Sequence, residues 1–172
     1  MIHRLTLIIL VLALGLSSAY ADDPLFSRME GEWLGHGNRF FPLSGRRVQV
    51  DAEVTTSFEV IRGKIALLSQ NRITEISSDA APKTYLSNYW VRPSDSGEGA
   101  YELGVDGSTQ ATSTGAVGRD GVFRVEQDFG GGNQPLVDRS ETQFLPGQSL
   151  YSDTFTQGTQ VQSQTQIEYR RK

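Results

Sequence analysis

The chain has 172 residues and no cysteine, with 16 Lys and Arg against 20 Asp and Glu and a formal charge of −4. Without cysteine there is no disulfide framework, no lipid anchor through a cysteine and no thiolate chemistry. The acidic balance lacks the basic excess that nucleic acid binding draws on, so no nucleic acid partner is expected.

Met1 to Ala21 reads as a cleavable export signal. His3 and Arg4 form a short polar head, Leu5 to Leu16 an almost wholly apolar run, and Ala19-Tyr20-Ala21 the small-residue cleavage site. The run is shorter than the roughly 20 residues a helix needs to cross a bilayer, so no membrane span is expected. Cleavage at about Ala21/Asp22 leaves 151 residues carrying 15 Lys and Arg against 20 Asp and Glu. That is one domain, residues 22–172, expected to work in a periplasm or outside the cell.

Asp22 to Glu30 predicts a single short helix with Leu25, Phe26 and Met29 on one face. From there the period is two. Val48, Val50, Ala52, Val54, Thr56, Phe58 and Val60 share one parity, and Gln49, Asp51, Glu53, Thr55, Ser57 and Glu59 the other, the pattern of a strand with one buried face. Val161, Ser163, Thr165, Ile167 and Tyr169 alternate with glutamines and Glu168 in the same way. Further strands are expected over 31–41, 64–76, 84–92, 101–105, 109–117, 122–129, 136–145 and 150–156. Turn signals at Gly63, Asp106-Gly107, Asp120-Gly121, Pro146-Gly147 and Gln157-Gly158 separate the strands. Ser77 to Lys83 and Gly130 to Pro135 read as looser loops. The expected fold is all-β: a single antiparallel up-and-down β-barrel of about ten strands with a short N-terminal helix, since closure removes the exposed edges.

Chemistry is sparsely supplied. After cleavage His36 is the one histidine. His36 lies an odd number of residues from Trp33, so it points outward if the tryptophan points in. Neither a metal set, a serine–histidine elbow nor a phosphate-binding glycine loop is present, so no metal, cofactor or catalytic residue is assigned. Asp138 shares its parity with Leu136, Ser140, Thr142 and Phe144. An inward carboxylate there requires a partner, because an unpaired charge in a dry core is costly. Aromatics supply the positive signal: Trp33, Phe58, Tyr85, Tyr89, Tyr101, Phe123, Phe129, Phe144 and Tyr169 fall on predicted strands. Mixed with Ser69, Asn71, Ser87, Ser163 and Thr165, they describe a lumen for a partly apolar small molecule.

Gly31-Glu32-Trp33-Leu34-Gly35-His36-Gly37, opening the first strand after a helical segment, resembles the calycin superfamily of lipocalins and fatty-acid-binding proteins. The longer Gly-x-Trp-x-Gly-x-Gly form looks like the nitrobindin-type ten-stranded barrels. The resemblance implies that Trp33 closes one end of the barrel and that Arg171 or Arg170 of the last strand packs over it. The sequence departs from those families in three ways. Phe41 to Arg46 is far too short for the helical pair that fatty-acid-binding proteins insert between their first two strands. No late histidine stands where nitrobindin-like proteins ligate haem, and Gln166-Ile167-Glu168-Tyr169 lacks the arginine of the fatty-acid-binding Arg-x-Tyr pattern. The candidate ligand-binding residues are Trp33, Phe58, Tyr89, Phe123, Tyr169 and Arg171.

Three readings follow. The first is an exported protein holding a hydrophobic or amphipathic molecule in the lumen. A second is an envelope interaction or structural module with a filled barrel. A barrel enzyme, an isomerase or hydrolase, is the third, with Asp138 and Tyr89 or Tyr85 as first suspects. The sequence does not set the oligomeric state.

Overall fold

Period-two patterning becomes ten strands in the computed structural model, which describes residues 23–130 and 132–172; the expected export signal lies outside the described residues. Residues 23–30 and the barrel, which starts at Gly31, fall in separate units. The first contains α1 (Phe26–Met29), one helical turn. The Asp23 carboxylate starts it by accepting the N–H groups of Leu25 and Phe26 at 2.9 and 3.1 Å, the usual role of an acidic side chain at a helix start. Among the described residues no helix is long and apolar enough to cross a membrane.

The barrel runs β1 (Glu32–Phe41), β2 (Arg46–Ile61), β3 (Lys64–Ser77), β4 (Ala80–Pro93), β5 (Ala100–Val105), β6 (Ser113–Val117), β7 (Val122–Asp128), β8 (Leu136–Leu145), β9 (Gln148–Gln157) and β10 (Gln160–Arg171). Each strand pairs antiparallel with its sequence neighbours, and β1 pairs with β10 to close the wall. This is the up-and-down barrel expected from the alternation, in a calycin-like fold. Arg62 and Gly63, with φ of 51° and 72°, make the tight β2–β3 turn, in which positive φ matches the strand twist.

Two expectations are corrected. Residues 77–83 are no loop: β3 and β4 continue through them and turn at 78–79, with Glu75 opposite Lys83 and Ser77 opposite Ala80. Polar composition there marks a strand end in water, not a break in pairing. The strand expected over 109–117 begins only at Ser113. Residues 106–112 instead cross the outside of the wall, where the indole N–H of Trp90 donates to the Ser108 carbonyl at 2.7 Å.

The meander defines two ends. The turns at 42–45, 78–79, 106–112, 129–135 and 158–159 form one, here called the rim. The other, the base, carries 62–63, 94–99, 118–121 and 146–147 with the strand termini Glu32 and Arg171. Register places Trp33, Leu67, Val91, Tyr101, Leu103 and Phe123 inward near the base, all buried. Tyr101 and Phe123 meet edge to face, with centroids 5.6 Å apart. Val48, Val50 and Ile167 continue the inner packing upward against Phe41, Ile73, Tyr151 and Tyr169. A second apolar cluster, Ile61, Ala66, Leu68 and Trp90, lies on the outer face, since these residues have the opposite parity to inward-facing Leu67, Ser69 and Tyr89.

Candidate functional site

The glycine–tryptophan motif works by making room. Trp33 is inward and 6 % exposed, and the guanidinium of Arg171, not Arg170, stands 4.8 Å from its ring. A Cβ on Gly35 would lie 2.5 Å from the Tyr169 ring, and one on Gly37 would lie 1.9 Å from the Gln166 carbonyl. The two glycines thus let a tyrosine lie across β1 and let β10 close tightly on it.

Above that apolar base the lumen turns polar. Arg39 on β1 faces inward beside Thr165 of β10, which faces Asp153 of β9, which faces Ser140 of β8. The Arg39 guanidinium donates from Nε to Thr165 Oγ1 at 2.9 Å and from Nη1 to Glu75 of β3. Tyr85 adjoins this pair, and burial together with the Glu75 carboxylate pushes its hydroxyl up to about 12. The Tyr151 hydroxyl donates to Asp153 Oδ2 at 3.1 Å.

Asp138 faces inward from β8, opposite Phe155 of β9 and Gln127 of β7. Its Oδ1 is buried and has no hydrogen-bond partner. Burial, then the charge of Asp153, raise its carboxyl to about 6, against the opposing pull of Arg39. Burial is also the leading cause that holds the hydroxyls of Tyr89, Tyr151 and Tyr169 above the usual phenol value. Tyr151 feels Asp153, Asp138, Tyr169 and Tyr89 together, so the three phenols and two carboxylates share one zone of the lumen.

The candidate ligand-binding residues therefore divide by height. Trp33 and Phe123 belong to the buried base, with Arg171 over Trp33. Phe58, half-buried, faces Leu67 next to them. Tyr89 and Tyr169 reach the polar zone. Sequence reasoning raised Asp138 but missed Arg39, Glu75, Tyr151 and Asp153. Their parity was readable, since Arg39 and Trp33 share a face of one strand and Asp153 and Tyr151 share a face of another; the cross-barrel meeting was not. His36 is exposed and faces out, its Nδ1 2.7 Å from Asp51 Oδ1. Among the described residues no group of three or more His, Asp or Glu is placed to hold a metal.

These features define a calycin-like barrel with an apolar base and a tyrosine–carboxylate belt. No family model matches the chain, and no curated protein matches it in sequence. Among solved structures it resembles the S-type phycobiliprotein lyase CPES from Guillardia theta, at 10 % identity and a TM-score of 0.65 over 86 % of this chain and 90 % of that one. At that identity the likeness shows the fold.

Proposed function

We propose that this is an exported protein that binds a small amphipathic molecule in the barrel lumen. The observation that carries the reading is the layered interior: buried apolar side chains near the base, then tyrosines and carboxylates facing the same space higher up. Such a lumen offers apolar area for the body of a ligand and a few polar groups to orient it. Tyr85, which faces inward near the rim, is 38 % exposed, in keeping with solvent access from that end. The likeness to a phycobiliprotein lyase is compatible with a barrel built around a small molecule. The export signal read at residues 1–21 supports work outside the cytoplasm.

The test of binding is native mass spectrometry of the mildly purified protein, followed by thermal melting with lipids and haem. A co-purifying mass or a raised melting temperature is expected; absence of both counts against the reading. Export is tested by fractionation and N-terminal sequencing, with a mature start at about Asp22 expected.

One observation favours a surface-interaction role instead. A groove of about 440 Å³ lies on the β7–β10 wall, lined mainly by outward residues, among them Glu141, Gln143, Leu150, Gln166 and Glu168, with Tyr151 and Ile167 of the inner packing also bordering it. A protein captured from the native envelope, lost on Leu150→Glu and unaffected by lumen substitutions, would establish that role.

A further inference from the structure

The two ends of the barrel differ in what they show to water. The base turns carry Arg62, Asp95, Glu98, Arg119 and Asp120, and among the described residues no exposed large apolar side chain sits in them. The rim turns carry two: Leu43 at 42–45, 60 % exposed, and Phe129 at 129–135, 54 % exposed.

The β1–β2 tip is built around Leu43. The ladder to β10 stops at Phe40–Gln164 and the ladder to β3 at Gln49–Ile76. Register pairs the end of this hairpin with itself, Phe40 with Arg47 and Phe41 with Arg46. Phe41 packs against the inner cluster, so the Phe41–Arg46 pair faces the lumen and the Phe40–Arg47 pair faces out. In each pair the guanidinium stands over the ring, at 4.5 Å for Arg46 and 5.1 Å for Arg47. Leu43 thus sits in a turn with one cation behind it on each face. On the outer wall Arg72, Arg124, Arg139 and Arg170 each meet a carboxylate. Among the described residues Arg46 and Arg47 form no ion pair and rest on rings instead. Asp79 of the adjoining turn bonds to Ser77 and feels Arg46 as a nearby charge.

The charges of the whole rim even out: Arg46, Arg47 and Lys83 stand against Asp79, Asp106 and Asp128, above the Arg39–Glu75 pair. Their placement is uneven. Both arginines are on one tip, whose neighbours around the barrel are the turns at 78–79 and 158–159. Asp106 and Asp128 stand at the two turns that do not adjoin it. Phe155 of the β9–β10 hairpin meets Phe129 edge to face at 6.2 Å, which joins the β7–β8 turn to this side. Residues 40–47, 154–167 and 129–137 carry no charge other than Arg46 and Arg47.

That combination suits the interface of a lipid bilayer. Apolar tips enter the acyl boundary, and arginine stems lie along them with the guanidinium at the phosphates. Leu43 and Phe129 stand on separate turns. A fluid apolar phase takes separate tips at once, whereas a protein partner needs one continuous matching surface. The acidic balance of the rest of the chain acts little here, because charges more than a Debye length away, about 8–10 Å, are screened.

We propose that the rim docks on the surface of an anionic bilayer, with Leu43 and Phe129 inserted and Arg46 and Arg47 against lipid phosphates. The inference stands apart from the binding role proposed above. Taken with it, docking turns the mouth of the lumen toward the lipid, where an amphipathic molecule enters without crossing bulk water.

The test is co-sedimentation with vesicles of phosphatidylcholine alone or with about 30 % phosphatidylglycerol. The exported protein is used, its N-terminus sequenced so that the apolar run at 5–16 plays no part. Where that run is retained, every variant shares it and the differences still read the rim. The anionic vesicles are expected to bind about tenfold more tightly than the neutral ones, and added salt to remove most of the difference. Arg46→Gln and Arg47→Gln should each weaken anionic binding about threefold and leave neutral binding nearly unchanged. Leu43→Ser and Phe129→Ser should weaken binding to both kinds of vesicle several-fold. Leu34→Ser, at an exposed leucine of the outer wall, should change neither. Circular dichroism confirms that the variants are folded. No binding to anionic vesicles overturns the proposal, as does binding indifferent to Leu43 and both arginines, or weakened as much by Leu34→Ser as by Leu43→Ser. Capture of an envelope protein that Leu43→Ser abolishes, with vesicles ignored, would make the rim a protein-docking face and overturn it too. Each of these outcomes leaves the lumen-binding reading standing, since soluble ligands test that separately.

Discussion

Asp138 is where the sequence pattern and the physical cost meet. Its carboxyl titrates at about 6 in the folded chain, above the ordinary carboxylate value of about 4. Folding therefore favours the protonated form. The group costs nothing below the unfolded value, and its penalty grows as pH rises through about 6. Part of the side chain meets water, so the full penalty is about 1–2 kcal/mol. Asp138→Asn is thus expected to stabilise the protein by that amount at about pH 8, with the gain fading toward about pH 4; urea denaturation at the two values measures it. A loss of stability at the higher pH would mean that the ionised carboxylate is compensated.

Arg39 gives the opposite expectation. The side chains of Arg39 and Glu75 are 25 % and 13 % exposed, so removing the cation strands a largely covered carboxylate. Arg39→Met should cost about 2–3 kcal/mol. Adding Glu75→Gln should recover part of that cost, and a double variant no better than the single one would argue against a coupled pair.

At the scale of elements, the segment 106–112 shows what alternation can and cannot say. Tyr89 and Trp90 are adjacent on a strand, so one of the two large rings had to face outward. Parity gives that much, and it also predicts that an outward tryptophan needs a cover. What covers it depends on a loop path that no periodicity encodes. The structure supplies the cover with Ser108 and Gln110, with the ring lying over Gly104, where a Cβ would fall 2.2 Å from the indole and 2.6 Å from the Gln110 carbonyl. Arg92 stacks 5.0 Å from the same ring and pairs with Glu102 at 2.6 Å. Gly104→Ala must therefore displace the indole or the segment above it. Expected are a loss of about 1–3 kcal/mol and faster proteolysis within 106–112. Unchanged protection there would show that the ring, not the segment, gives way. The same logic explains why residues 77–83 mislead: Ser, Asp, Ala and Pro mark exposure, and a strand end that projects beyond the wall is exposed without ceasing to be paired.

For the molecule as a whole, the strand count, the closure and the inward parity were legible because one buried face with period two leaves few alternatives. The polar zone was not. Arg39, Glu75, Asp138 and Asp153 are far apart in sequence, and only the register of four strands brings them to one height. Register also makes the wall uneven. β2 and β3 pair from Gln49–Ile76 to Ile61–Lys64, whereas β5 and β6 pair only between Ala100–Ala116 and Leu103–Ser113. Because β5 meets β4 only from Tyr89 to Pro93, with one further bond from the Asp106 N–H to the Asn88 carbonyl, residues 80–87 of β4 are paired on one side alone. Pro82 and Lys83 on that stretch are residues that discourage pairing with another chain. Local opening follows where ladders are short and packing is thin. Hydrogen exchange should therefore find the amides of β5, β6 and the unpaired edge of β4 opening well before those of β2, β3 and β10. This weak sector runs beside the inward Tyr85 and Ser87, so it is also the expected door for a ligand larger than the rim admits. A disulfide engineered between β5 and β6 should slow ligand entry and exit together while leaving the equilibrium affinity nearly unchanged, because it acts on the opening and not on the bound state. If β5 and β6 exchange only with global unfolding, the wall is uniformly stable and entry must be through the rim.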